Sequence, residues 1–121
     1  MTDAEVIAAL RGADLISVEL SGCLEDTPQL AAQAERFGEL VALATAAFGA
    51  PMYRGKGPRW GPIGRRPDVH IAGWDYTHSA LEIAWWTFES RVAILMITGH
   101  DADTLQCLHC AVATLAASPP R

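Results

Sequence analysis

Residues 80–98, ALEIAWWTFESRVAILMIT, constrain the fold more than any other part of the chain. Two strand-like runs, Ala80–Phe88 and Arg91–Thr98, flank Glu89-Ser90. A connection this short excludes a parallel crossover, so the runs pair antiparallel as a hairpin. With Glu89 and Ser90 as the turn, Trp85 pairs with Ile94 and Ile83 with Met96 on one face. Trp86 then pairs with Ala93, and Ala84 with Leu95, on the other. Glu-Ser is not a favoured pair for a two-residue turn, which leaves a longer loop open. Neither face shows the polar alternation of a strand wetted on one side, so each face needs a cover: a helix, a loop, a ligand or another chain. The adjacent Trp85 and Trp86 project to opposite faces. One indole is core, and the other is covered by a helix or anchors an interface.

The remaining elements fall around this hairpin. Thr2 and Glu5 stand in capping-box spacing ahead of Val6, Ile7 and Leu10, and Gly12 ends a short first helix. In DLISVELS, Ile16, Val18 and Leu20 face one way while Leu15, Ser17 and Glu19 face the other, the period of a half-buried strand. The segment DTPQLAAQAERFGELVALATAAFGAP predicts a long helix. Thr27 caps it, Pro28 opens it, and Gly49 with Pro51 closes it. Leu30, Ala34, Phe37, Val41, Ala44 and Phe48 form its apolar stripe, opposite Glu35 and Glu39. Short strands are expected at Met52–Arg54 and Val69–Trp74. HDADTLQCLHCAVATLAAS reads as a C-terminal helix capped by Asp101, with Leu105, Leu108, Val112 and Leu115 buried. The expected class is α+β: a mainly antiparallel sheet of four or five strands, packed by a long central helix and by N- and C-terminal helices, in one domain over 1–121.

Composition agrees with a packed globule, since half of the 121 residues are apolar and 19% are charged. The acidic N-terminus has no basic start before an apolar run, and no apolar run reaches the length of a membrane span. Three cysteines without an export signal predict reduced thiols in a cytoplasm. Arginine outnumbers lysine eight to one and asparagine is absent, a bias that suggests a GC-rich bacterial source.

Charge is unevenly spread. The formal net charge is −5, yet the fourteen residues RGKGPRWGPIGRRP, 54–67, hold five of nine cations and no carboxylate. Four glycines and three prolines there exclude a regular element. Such a loop can cradle a phosphate, but it lacks the Walker A spacing: position 50 is Ala and position 57 is Gly. The acidic remainder would repel a nucleic-acid backbone, so nucleic acid is not the expected partner. The loop serves either as ordered cover with solvated arginines or as a contact surface for an acidic protein, made of Arg54, Lys56, Arg59, Trp60, Arg65 and Arg66.

Other candidates are weaker. Cys107 and Cys110, three apart on a helix, would share one face, but no second ligand pair of matching spacing exists, and the core reading is preferred. No metal site, cofactor or catalytic set is expected. An alternative reading is a small enzyme or ligand binder with a pocket between the sheet and the long helix, its polar groups His70, Asp75, His78 and Glu82. A pocket of roughly 300 Å³ or more with convergent polar groups is the observation that favours it.

The order helix, strand, long helix ending in FGAP, GPRWGP loop and antiparallel meander resembles small bacterial α+β proteins of uncharacterised families, among them immunity proteins that accompany polymorphic toxins. The resemblance is one of layout over most of the chain and assigns no residue. It implies a non-catalytic protein that binds and blocks a toxin. The leading expectation is therefore a cytoplasmic binding protein that uses the basic loop and self-associates through the apolar outer face of the hairpin.

Overall fold

The computed structural model describes residues 1–12, 14, 16–21, 27–56, 69–70, 80–89, 91–100 and 105–115. In chain order the elements are α1 (Asp3–Arg11), β1 (Ile16–Glu19), α2 (Thr27–Phe48), β2 (Tyr53–Lys56), β3 (Val69–His70), β4 (Ala80–Phe88), β5 (Arg91–His100) and β6 (Leu105–Leu115). The sheet runs β1-β6-β5-β4-β2, with the two-residue β3 also pairing β6. Every pairing is antiparallel. The layout is α+β, as the hairpin required.

The hairpin register follows from the two-residue turn: Trp85↔Ile94, Ile83↔Met96, Trp86↔Ala93 and Ala84↔Leu95 are partners, and Phe88↔Arg91 closes the turn. Glu89 adopts φ 55°, the left-handed region that such a turn demands and that a non-glycine side chain resists.

α1 opens with the expected capping box. Glu5 N–H donates to Thr2 Oγ1 (3.2 Å), and Thr2 N–H donates to Glu5 Oε1 (3.0 Å). Hydrogen bonding to the carboxyl from Thr2, from its backbone N–H first and its side chain second, holds Glu5 below its ordinary value. α2 ends at Gly49, whose N–H donates to Thr45 O (2.9 Å). No described helix is long and apolar enough to cross a membrane.

Both helices cover one face. Val6, Leu10, Phe37, Leu40, Val41 and Ala44 pack on Ala84, Trp86, Ala93, Leu95, Ile97, Leu108, Cys110 and Val112. Ile16, Val18 and Leu20 of the first strand region join this cluster, as their alternation implied. The opposite face carries a second buried cluster of Ile83, Val92, Ile94, Met96, Ala111 and Ala113, with Tyr53 and Trp85 against it. Self-association is expected from the sequence because this apolar outer face of the hairpin needs a cover. Its side chains are already buried within a single chain, so their burial supplies no reason to invoke a second copy.

The C-terminal helix is a correction. Residues 105–115 form β6, which pairs β5 over ten positions and β1 on its other side. The helical stripe was apparent because Cys107, Leu108, Cys110, Ala111, Val112 and Ala113 are all buried. A strand covered on both faces loses its period-two signature and resembles a buried helix segment. The change also undoes the shared thiol face: in a strand, a spacing of three sends Cys107 and Cys110 to opposite sides. Asp101 and Cys23 lie outside the described residues.

Candidate functional site

The two ends of the α2–sheet sandwich differ. At the end where β1, β2 and β5 finish and β4 and β6 begin, α2 and the sheet leave an open cleft of about 410 Å³, lined by Ala34, Lys56, Leu81, Glu82, Ile97 and Gln106. A narrower recess of about 120 Å³ adjoins it, lined by Phe37, Arg54, Gly55, Lys56 and Glu82. Lys56 and Glu82 border both volumes, so they stand where the two meet.

Strand register explains this convergence. Lys56 pairs directly with Glu82, and Arg54 with Ala84. Ala84 belongs to the helix-side core, so the period of two puts Arg54, Lys56 and Glu82 on the side of the sheet that faces α2. Directly opposed Cβ atoms lie about 5 Å apart. Tyr53 occupies the other side; its hydroxyl donates to Lys56 O (3.0 Å), and its ring lies where a side chain at Gly55 would stand. Glycine there permits the close approach that fixes the end of β2.

A β-bulge shapes the opposite wall. Ala80 pairs with Thr98 but Glu82 pairs with Ile97, so β4 advances two residues while β5 advances one. The extra residue, Leu81, is 42% exposed and lies over Gly99, with Cδ1 3.0 Å from where a Cβ would be. Leu81 and Glu82 therefore both line the cleft although they are consecutive. Ile97 and Phe37, each nearly fully buried, supply apolar wall.

Behind the cleft, Gln33 ties α2 to the sheet. Its Nε2 donates to Ser21 Oγ (2.8 Å) and to Gln106 O (3.1 Å), and Leu108 N–H donates to the same hydroxyl (3.2 Å). Arg36 is committed in the same way, donating to Leu20 O, Met1 O and Asp3 Oδ1. In contrast, no described residue hydrogen-bonds or ion-pairs with the side chains of Arg54, Lys56 or Glu82. All three are exposed.

The two described cysteines, Cys107 and Cys110, are placed in the core. Both are fully buried, and burial pushes the Cys110 thiol up to about 11, which keeps it protonated near pH 7. Among the described residues, no group of three or more His, Cys, Asp or Glu side chains is placed to hold a metal ion.

Of the residues expected to form a basic contact surface, Arg54 and Lys56 are on β2. Arg59, Trp60, Arg65 and Arg66 lie outside the described residues. Of the expected pocket, Glu82 lines the cleft. The backbone of His70 pairs with Thr114, whose row continues to Arg91 and Phe88 at the hairpin turn. That row is about 20 Å along the strands from Glu82, so these two do not converge. Asp75 and His78 lie outside the described residues. Sequence reading missed Gln106, Leu81, Ile97, Ala34 and Phe37 as cleft residues. Gln106 was hidden by the helix assignment, and the Leu81 bulge has no local sequence signal. No protein-family model, curated protein or solved structure matches this chain.

Proposed function

We propose that this protein is a small-ligand binder that holds a carboxylate-bearing organic molecule in the cleft between α2 and the β2–β4 edge. The observation that carries the reading is the cleft itself. It exceeds the size at which small-molecule sites begin, and Lys56, Glu82 and Gln106 converge on it beside apolar wall. Among the described residues lining the two spaces, two cations stand against one carboxylate and no described residue engages any of them, which favours a ligand with a negative group.

The test is a titration of the isotopically labelled chain with 4-methylpentanoate, followed by amide resonances. Saturable shifts at Lys56, Glu82, Ile97 and Gln106 are expected, with a dissociation constant in the millimolar range or tighter. They should be lost when Arg54 and Lys56 are both alanine. Absence of saturable shifts with both this acid and its α-amino counterpart L-leucine, or identical shifts in that variant, overturns the reading.

A second reading, capture of an acidic protein partner by an immunity-type inhibitor, has one observation in its favour. Arg54 and Lys56 are uncommitted cations on a strand that ends the described sheet. Shifts along β2 produced by an oligoglutamate but not by 4-methylpentanoate would move support to it.

A further inference from the structure

Resting on the cleft reading above, we infer that the ligand is an amino-acid-type zwitterion: its carboxylate lies at Arg54 and Lys56, its ammonium at Glu82, and an apolar side chain lies against Ile97 and Leu81. The argument is one of charge placement. Lys56 and Glu82 are direct cross-strand partners and border both the wide cleft and the narrow recess, while Arg54 borders the recess alone. A plain anion seated on Lys56 is repelled by Glu82. A plain cation seated on Glu82 is repelled by Lys56 and Arg54. A molecule carrying both charges on neighbouring atoms satisfies the pair without leaving either charge facing its like.

The shape agrees. The narrow recess holds Arg54, Lys56 and Glu82, whereas the wider space beside it is walled by Ala34, Leu81 and Ile97. A charged head therefore fits the junction, and an aliphatic side chain fits the room beyond. Leu81 reaches this position through the bulge and through the absence of a side chain at Gly99. Gln106 adds an amide able to donate to the carboxylate or accept from the ammonium.

The experiment compares three probes of one carbon skeleton on the full chain: L-leucine, 4-methylpentanoate, which lacks the ammonium, and 3-methylbutylamine, which lacks the carboxylate. Leucine should bind about two- to fivefold tighter than the acid, the gain of one exposed ion pair. The amine should not bind measurably. Glu82→Gln should weaken leucine and tighten the acid, so that the preference for leucine over the acid is lost. Because Glu82 is exposed, this near-isosteric variant keeps the fold, and its unfolding midpoint checks that. Equal binding of leucine and the acid overturns the zwitterion and leaves the cleft reading standing. Tightest binding by the amine also overturns the inference. Failure of all three probes to shift the cleft resonances overturns both readings together.

Discussion

One end of the α2–sheet sandwich is closed and the other is open, and the difference lies in what their polar groups are engaged with. At the hairpin-turn end, Phe48 meets Trp86 and Phe88 edge-on, with ring centroids 6.0 and 5.1 Å apart. The Trp86 Nε1–H donates to Gly49 O (2.9 Å), and the Arg11 guanidinium lies 5.5 Å from the Phe48 ring centroid. Arg91 Nη1 donates to Gly12 O and so joins β5 to the end of α1. Each of these polar groups is engaged within the molecule. At the opposite end, Arg54, Lys56 and Glu82 border a space that nothing described fills. The same two layers thus give one end whose polar groups are engaged and one end with charges that no described residue engages. The difference teaches that charge beside a cleft is informative where no described residue engages it, and this is what the proposed ligand site rests on.

The largest expected effect tests the closed end. Trp86 is 2% exposed, and Trp86→Ala removes its packing, its edge-on contact with Phe48 and its bond to Gly49 O. A loss of about 3–5 kcal/mol in unfolding free energy is expected by urea denaturation. A loss under about 1 kcal/mol would mean that this end is not what holds α2 to the sheet.

The next effect has the opposite sign. Glu89→Gly relieves a left-handed backbone at the turn and should stabilise the chain by about 1 kcal/mol, seen as a higher unfolding midpoint. A destabilised variant would deny that the turn carries strain.

The smallest effect belongs to the open end. Arg54→Ala and Lys56→Ala, separately or together, should change stability by no more than about 0.5 kcal/mol, because both side chains are exposed and no described residue hydrogen-bonds or ion-pairs with them. A cost above about 1 kcal/mol would erase the contrast between the ends.

How much of this was legible in the sequence depends on how each element is covered. β1 meets solvent on one side and alternates, so its buried face could be read directly from Ile16, Val18 and Leu20. The hairpin could be placed residue by residue because its turn is only two residues long. β6 was misread because it is covered on both faces. The site was legible only in fragments. Glu82 and the pair Arg54 and Lys56 stood out by charge, yet nothing local announces that β2 lies beside β4 with Lys56 opposite Glu82. Long-range register made that pairing, and it also separated His70 from Glu82. Both relations depend on contacts between distant segments, which side-chain patterning along one segment does not encode.

The irregularity between Ala80 and Glu82 has a further consequence. Beyond it, toward the turn, the strand keeps perfect step with its neighbour, so every indole and aliphatic group there is locked in phase. On the near side the step is already broken. Losing or gaining a residue at Leu81 would therefore exchange which groups look into the cavity mouth without re-threading the aromatic wedge at the far end. The architecture separates a part that tolerates no slippage from a rim that can be re-cut, so the lining of the open end can change while the scaffold stays fixed.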